Sequence, residues 1–597
     1  MILSALTDFY TRMNEKPDSG IPPFGFSYEK ISYALLLSTE GELLDVINIM
    51  DTTGKKPAPC SLLVPQPPKR AVNIAPCFLW DKSSYVLGLT ASELPKDIKR
   101  TQQTHEAFKE YHRQWLKGCD GGLQALLQFL EHWNPENPDH AALIPQEAMD
   151  SNMVFRLDGE HSYLHQSKSA KAIRSQQLVF DNEEKQTCLV TGKLSPIATL
   201  HPAIKEVNGA QSSGASIVSF NKKAFESYGK EQGDNAPVSE EAAFAYTAAL
   251  NYLLRRDDGN QHRIQIGDAT VVFWAEAETA EQVTAGENLF GLLMNPPASS
   301  DERQTAILGS ALSAIAKGRP LQELNADLEE NTQIYVLGLA PNAARLSIRF
   351  WESASLTAFA QRLAEHYHDL LLDPLPWKHE PAIWRLLSET VPHREGSKPK
   401  FDDVAPQLAG ELARAILTGR RYPQSLLTNL LMRMHADGDI SSLRVALCKA
   451  VLCRNARLNH QTDKEIPMSL DPDNKDPGYL LGRLFASLES AQRAALGKNV
   501  NATIRDRYFG AASATPANVF PILIRNAQNH LGKVRKDKAG LAFTLEKQID
   551  GIVELLTPSF PKSLNIESQG RFAIGYYHQR GEIFKKHESE IQEETEQ

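Results

Sequence analysis

The sequence is poor in cysteine and has no long hydrophobic run. Its 597 residues include six cysteines, and none of them form a CxxC pair that would suggest a zinc or redox site. We expect reduced and mostly buried thiols. No stretch approaches the ~18 consecutive apolar residues of a membrane-spanning helix, and the N-terminus lacks the pattern of a secretory signal. These absences predict a cytoplasmic protein without a membrane segment.

The motifs of common nucleotide-binding and hydrolytic enzymes are absent too. DTTGKK at 51–56 lacks the GxxxxGK[ST] frame, and no GxGxxG follows a strand. HExxH, GxSxG and HxE…PCxxC patterns are missing as well. The pair His368-Asp369 is similar to the HD dipeptide of metal-dependent phosphohydrolases, although a surface dipeptide on an amphipathic helix is commoner. We expect no catalytic residue, cofactor or metal, with a metal-dependent nuclease using this pair as the alternative.

Length and charge limit the remaining function classes. At about 150 residues per domain, the chain should form roughly three to four domains. Its hydrophobic content of 42% is enough for large cores. The net charge of -9 argues against indiscriminate coating of nucleic acid. Any contact with a polyanion should therefore be made by local clusters of basic residues.

Hydrophobic periodicity predicts an α+β protein. Short β-type runs between 26 and 89, including SYVLGL at 84–89, indicate a strand-rich N-terminal module. A mixed module follows, in which SIVSFN at 216–221 is expected as a strand, and helical periodicity dominates after it. The C-terminal helices form a bundle in which Lys and Arg outnumber Asp and Glu about two to one. The predicted modules are 1–150, 151–355, 356–460 and 461–597.

Several long segments carry a family resemblance. The stretch CLVTGKLSPIATLHPAIKEVNGAQSSGASIVSFNKKAFESYGKEQ, from Cys188, resembles the central signature of the large subunit of the type I-C CRISPR Cascade surveillance complex. The C-terminal runs YLLGRLFASLESAQRAAL and SQGRFAIGYYHQR, and the N-terminal IPPFGFSYEKISYALLL, resemble the same family. The resemblance spans nearly the whole chain.

The resemblance implies a non-catalytic subunit of an RNA-guided antiviral DNA surveillance complex. Such a subunit senses the protospacer-adjacent motif in duplex DNA, stabilises the R-loop and the displaced strand, and supports recruitment of a helicase-nuclease. The implied partners are the backbone and guide-end subunits that carry the guide RNA, a small subunit, the target double-stranded DNA and the helicase-nuclease. No cofactor is implied.

Within that role, proline-braced loops of the N-terminal module are the candidates for motif sensing, because such loops can enter a groove with cationic and amide side chains. In 66–73, Lys69 and Arg70 would contact phosphate or the minor-groove edge, and Asn73 could donate to A·T acceptors. The alternative is that these side chains face solvent or cap a strand. The full candidate set is Gln66, Lys69, Arg70, Asn73, Lys82, Lys55 and Lys56.

Basic residues of the C-terminal bundle are the candidates for the displaced strand: Arg505, Arg507, Lys533, Arg535, Lys536 and Lys538. Tyr508 and Phe509 are candidate base platforms, with core packing as the alternative. In the central signature, Asn221, Lys222 and Lys223 face either the heteroduplex or a neighbouring subunit. The family also makes its small subunit by internal initiation, for which this sequence offers Met468. The alternative is that Met468 is an ordinary linker residue and that a valine or leucine codon serves as the start.

Overall fold

The computed structural model describes residues 1–597 apart from 17–18, 55, 69–73, 120, 179–184, 258, 298–300, 394–399, 401–402, 462–465, 498–501 and 596–597. Helices and strands are both abundant, which confirms the predicted α+β class. The chain divides into two compact units. The first comprises Met1–Glu206, Gln211–Arg255 and Ala343–Arg345, and the second Val207–Ala210, Arg256–Asn342 and Leu346–Gln597. The module boundaries at 150, 355 and 460 stay predictions.

The first unit is built around a mixed sheet. Its strands are β1 (Phe26–Ile31), β2 (Tyr33–Leu37), β3 (Leu43–Asn48), β4 (Cys60–Pro65), β5 (Trp80–Lys82), β6 (Asn152–Leu157), β7 (Lys185–Thr187) and β8 (Leu194–Pro196). Its helices are α1 (Ile2–Glu15), α2 (Ser83–Val86), α3 (Pro95–Leu116), α4 (Gly122–His132), α5 (Pro138–Ala142), α6 (Lys168–Gln177) and α7 (Glu240–Leu253). The main sheet has the order β3–β2–β6–β5, in which β2 and β6 are parallel.

Both faces of this sheet are buried. Side chains alternate between the faces of a strand, so Leu35 of β2 and Phe155 of β6 pack against Phe108 and Phe129 from the helices α3 and α4. On the other face, Val154 packs in a second apolar cluster with residues of β1 and β4. The antiparallel β1–β4 ribbon therefore covers that face and fixes where the chain leaves β4.

Two strand predictions in this unit are wrong. Residues Ser83–Val86 form α2, because the Ser83 hydroxyl donates to the Leu89 carbonyl at 2.9 Å and accepts from the Asp150 N–H at 2.8 Å, closing a turn. In 216–221 only Ser216 makes a β-bridge, and the rest is irregular. A short apolar run does not by itself distinguish a strand from a helical turn or an irregular segment.

The second unit combines a four-stranded sheet with a large helical region. Its strands are β9 (Arg263–Ile266), β10 (Ala269–Glu276), β11 (Gln333–Asn342) and β12 (Arg345–Ser355). The helices up to the segment before the bundle are α8 (Ala280–Met294), α9 (Glu302–Ala316), α10 (Leu356–Leu370), α11 (Ile383–Ser388), α12 (Pro406–Thr418), α13 (Gln424–Asp437) and α14 (Ser442–Leu458). The strands lie in the order β12–β11–β10–β9, with Phe273 paired to Val336 between β10 and β11.

The C-terminal part is helical, as predicted. Its helices are α15 (Pro477–Leu496), α16 (Ile504–Ala514), α17 (Pro516–Asp537), α18 (Ala539–Leu555) and α19 (Ile566–Thr595). The helices α15 and α19 approach closely at two glycines: a Cβ at Gly482 would lie 2.0 Å from the Phe572 carbonyl oxygen, and one at Gly575 would lie 2.2 Å from that of Tyr479. Only glycine allows such an approach.

All six cysteines are free, and four of them are buried. Among the described residues, none of the helices combines the length and the apolar character that crossing a bilayer requires.

Candidate nucleic-acid interface

Part of the predicted motif-sensing set lies in the described chain. Gln66 is half-buried directly after β4, whereas Lys56 and Lys82 are exposed. The remaining members lie outside the described residues, and their contacts with DNA stay predictions: Lys55, Lys69, Arg70 and Asn73. The structure therefore bears on this site through the residues that flank 69–73.

The stretch that leads into this segment is tied to the buried part of the first unit. The Trp80 indole N–H donates to the Pro65 carbonyl oxygen at 2.8 Å. The Arg174 guanidinium donates to the carbonyl oxygens of Gly25 at 3.1 Å and of Gln66 at 3.3 Å. Hydrogen bonds from a charged donor are stronger than neutral ones. The chain therefore leaves β4 at a fixed place.

The stretch that returns from the segment is also held by buried side chains. The Cys77 N–H donates to Asp81 Oδ2 at 2.9 Å, and the Leu79 N–H donates to His112 Nε2 at 2.9 Å. Leu79 has a φ of 62°, a conformation that costs about 1–3 kcal/mol for such a residue. Burial lowers the pKa of His112 to about 4, so its Nε2 remains an acceptor at neutral pH. These contacts fix the approach to β5 and to Lys82 at its end.

The basic cluster of the central signature lies on an exposed, irregular segment of the first unit. Asn221, Lys222 and Lys223 are all exposed. Asn221 Oδ1 accepts a hydrogen bond from Arg345 at 2.8 Å, and the same guanidinium lies 4.1 Å from the centre of the Phe225 ring. The asparagine is thus part of a surface cluster that leaves the two lysines open to solvent. Their binding partner stays a prediction.

The cations predicted to follow the displaced strand fall into two groups. Arg505 and Arg507 lie in the first turns of α16, and the others lie at the C-terminal end of α17 or directly after it: Lys533, Arg535, Lys536 and Lys538. Arg505 is half-buried with its guanidinium 3.3 Å from Asp506 Oδ1, whereas Arg507 is exposed. Thr515 joins α16 to α17. Along the helix axes Arg507 lies about 12 Å and Lys533 about 27 Å from this junction, so the two groups are separated.

The aromatic residues predicted as base platforms pack in the bundle. Phe509 is 4% exposed, and its ring centre lies 5.4 Å from that of Phe572 and 5.5 Å from that of Tyr576. The prediction of a platform at Phe509 is therefore wrong, because a ring enclosed by other rings has no face open to a base. Tyr508 is half-buried and packs against the same core.

The helix α17 presents cations on its outer face and carries no acidic residue before its last position. Arg525, Lys533 and Lys536 are exposed and fall within about 80° of one another around the helix. Within the described part of the chain, none of them forms an ion pair or a side-chain hydrogen bond. Arg535, by contrast, lies on the flank of the helix and forms an ion pair with Glu546 of α18. Sequence periodicity places these cations on one face, but only the structure shows which of them are paired.

The His368-Asp369 pair does not form a shared site. Asp369 is 1% exposed, and its Oδ2 lies 2.9 Å from both Arg454 and Arg457. Lys449 Nζ donates to the Asp369 carbonyl at 3.1 Å. The His368 side chain is exposed, since consecutive helical residues point about 100° apart. Among the residues that the structure describes, no group of three or more His, Cys, Asp or Glu side chains could hold a metal ion.

Met468 lies in the segment between α14 and α15, and its side chain is exposed. Its carbonyl oxygen accepts a hydrogen bond from the Asp373 N–H at 2.9 Å. Farther along, Arg483 of α15 donates to the carbonyls of Asp471 at 3.2 Å and Pro472 at 2.8 Å. A chain starting at Met468 would keep both contacts of Arg483. Internal initiation there stays a prediction.

Comparison with known proteins identifies the family. The family model for the CRISPR-associated protein Cas_Csd1 matches residues 6–584, from within α1 to within α19, and so includes both compact units. No curated protein matches the chain. The chain belongs to the Cas_Csd1 family of CRISPR-associated proteins, and the predicted resemblance to the large subunit of type I-C Cascade is confirmed.

Proposed function

We propose that this chain is a non-catalytic subunit that senses the protospacer-adjacent motif in duplex DNA and stabilises the R-loop and the displaced strand. It would work with the guide-RNA-carrying subunits and the small subunit, and would support recruitment of a helicase-nuclease that cuts the DNA. Family membership supports the place in Cascade.

The unpaired cations of α17 carry the proposal. Arg525, Lys533 and Lys536 form an exposed row about 16 Å long on a helix whose single acidic residue is Asp537, at its C-terminal end. In a chain with a net charge of -9, such a row is a local attraction for a polyanion. A single strand binds surfaces of this kind through its phosphates, releasing counterions. The displaced strand is the single strand that an R-loop supplies.

The fixed flanks of 69–73 support motif sensing. Trp80 holds the chain at Pro65, Arg174 holds it at Gln66, and His112 holds it at Leu79. A segment whose ends are already fixed loses less conformational entropy when it binds. The exposed Lys56 and Lys82 add cations in the same part of the chain.

The contacts of Asp369 favour the non-catalytic proposal over the metal-dependent nuclease. A carboxylate that holds Arg454 and Arg457 in a buried network is committed to the fold and offers no open oxygen to a metal. Cutting by a separate helicase-nuclease requires no such site in this chain.

The proposal is tested in the assembled complex with its guide RNA. We expect Lys69→Ala, Arg70→Ala and Asn73→Ala together to weaken binding to a motif-bearing duplex without affecting assembly, which size-exclusion chromatography would monitor. A matched substitution, Lys185→Ala, removes an exposed cation of the first unit outside the proposed site and should leave binding unchanged. Unchanged binding by the triple variant would reject this motif site, and cleavage of DNA without the helicase-nuclease would reject the non-catalytic role.

A further inference from the structure

Phe543 on α18 is a large apolar side chain exposed to water. Its exposed fraction is 68%, whereas the other face of α18 buries Leu545, Ile549 and Ile552 in the bundle. The ring lies outside this apolar stripe, so it does not contribute to the core. A single exposed apolar side chain is common on protein surfaces, so the residues around the ring decide whether it suits a ligand. The neighbouring residues show which ligand would suit it.

Contacts between the two helices place the ring beside the basic end of α17. Val534 of α17 and Ala542 of α18 belong to one small apolar cluster, and Arg535 pairs with Glu546. Because these contacts bring 534–535 against 542–546, Phe543 lies level with the last turn of α17. Both elements are helical here, so the ring is presented from a rigid support.

The surroundings of the ring are open and contain more cations than acids. Lys536 is exposed on α17, Lys538 is exposed directly before α18, and Lys547 is exposed one turn after Phe543 on the same face of α18, whereas the exposed acidic residues nearby are Asp537 and Asp550. A Cβ at Gly532 or Gly540 would meet no atom within 4 Å. The structure thus leaves space for a flat ligand beside the ring, with ammonium groups on both helices.

An aromatic ring flanked by lysines that form no ion pair within the described ranges suits single-stranded DNA. A base can stack on the ring regardless of its identity, while the lysines neutralise the adjoining phosphates. We propose that Phe543 is a base-stacking platform for the displaced strand, with Lys536 and Lys547 as its phosphate contacts. This inference rests on the proposed function and deepens it, and it moves the platform from the buried Phe509 to α18. The charge favours a polynucleotide over an apolar protein segment as the occupant.

The test uses the assembled complex bound to a target duplex that carries 2-aminopurine at successive positions of the displaced strand. In the unsubstituted complex, stacking on Phe543 should quench one or two of these positions. Phe543→Ala should restore their fluorescence and weaken binding of an oligothymidylate at least about fivefold. Phe543→Trp should preserve both properties, and Phe543→Leu should lose them. Val553→Ala, which changes another exposed apolar residue of α18, serves as the control and should change neither.

The outcomes separate the two levels of inference. If the unsubstituted complex neither quenches the probe nor binds the oligothymidylate, the displaced-strand role itself fails. If that complex does both and Phe543→Ala matches it, only the stacking platform is overturned. If Phe543→Leu keeps the quenching and the oligothymidylate binding, and the complex carrying Phe543→Ala loses a subunit, the ring binds an apolar protein surface. The platform is then overturned as well.

Discussion

Two groups of cations in the second unit differ in what their charges contact. Arg454 is fully buried, Lys449 is 2% exposed, and both bond to Asp369. Lys533 and Lys536 on α17 are exposed, and they form no ion pair with any residue that the structure describes. A buried charge is stable only when it is paired and hydrogen-bonded, whereas water solvates an exposed charge equally well without a partner. The first group therefore serves the fold, and the second is available to a ligand.

The buried group extends into a polar network that includes neutral side chains. Tyr422 accepts a hydrogen bond from Arg454 at 3.2 Å, and its hydroxyl lies 2.7 Å from His366 Nδ1. Burial and the nearby Arg454 charge lower the pKa of His366 to about 3, so this histidine is neutral across the physiological range. The Asp369 carboxylate is therefore the central charge of this network, and the buried cation Arg454 needs it as a counter-ion.

Removing the central carboxylate should have the largest effect. We expect Asp369→Asn to lower the free energy of unfolding by about 3–5 kcal/mol, because Arg454 would be left buried with no opposite charge. Denaturant unfolding of the purified chain, followed by circular dichroism, measures this loss. The adjacent exposed residue provides the control: His368→Gln should stay within about 0.5 kcal/mol of the parent. Equal effects of the two substitutions would contradict the division into structural and available charges.

A buried group that stays neutral should make stability depend on pH. The folded-state pKa of His112 is about 4, below its ordinary value of 6.5, because of burial. Its contribution to stability is therefore fully present above pH 6.5 and is lost as the pH falls towards 4. The total loss is about 3 kcal/mol. Unfolding measured between pH 7.5 and 4.5 should show a shallower loss in His112→Gln than in the parent. A part of the loss should remain, because burial also depresses the pKa values of His165, His366 and His578.

Neutralising the exposed group should affect binding and leave stability unchanged. The double substitution Lys533→Gln and Lys536→Gln should reduce the slope of log affinity against log salt by about 1.4 for a single strand, or about 0.7 for each lost phosphate contact. Unfolding should shift by no more than about 0.5 kcal/mol. Lys185→Gln, which removes an exposed cation of the first unit outside the candidate set, is the control and should leave the slope unchanged. A double variant that loses stability but keeps its salt slope would assign these lysines to the fold.

Much of the fold could be predicted from periodicity, and the errors have a common cause. The long apolar periods of α15, α17 and α18 correctly predict helices, because each buries a broad stripe. The short runs at 84–89 and 216–221 do not form the expected strands. Their local structure depends on tertiary partners, such as the Asp150 N–H that bonds to Ser83, and these are distant in sequence.

The candidate site could be predicted only in part, for a similar reason. A basic C-terminal bundle is visible in the sequence, and α17 places Lys533 and Lys536 on its surface. Whether an aromatic side chain is core or platform depends on neighbouring helices: Phe509 is enclosed by Phe572 and Tyr576, whereas Phe543 points away from the core of the bundle. Phe509 follows a tyrosine and Phe543 follows an alanine, and both lie in helices of mixed composition. The sequence around them therefore does not distinguish a core phenylalanine from an exposed one.

The smallest effect is expected at a cation that is both exposed and paired. Arg535 forms an ion pair with Glu546 on the surface of the bundle, and the Arg535 side chain is 60% exposed. Such pairs contribute about 0–1 kcal/mol, because water screens both charges. Arg535→Gln should therefore leave unfolding nearly unchanged, and it should weaken single-strand binding less than Lys536→Gln, since Glu546 already offsets part of the arginine charge. Parallel urea unfolding and oligothymidylate titrations at one salt concentration measure both quantities. If Arg535→Gln weakened binding more than Lys536→Gln, pairing within the chain would not decide which cations reach the DNA.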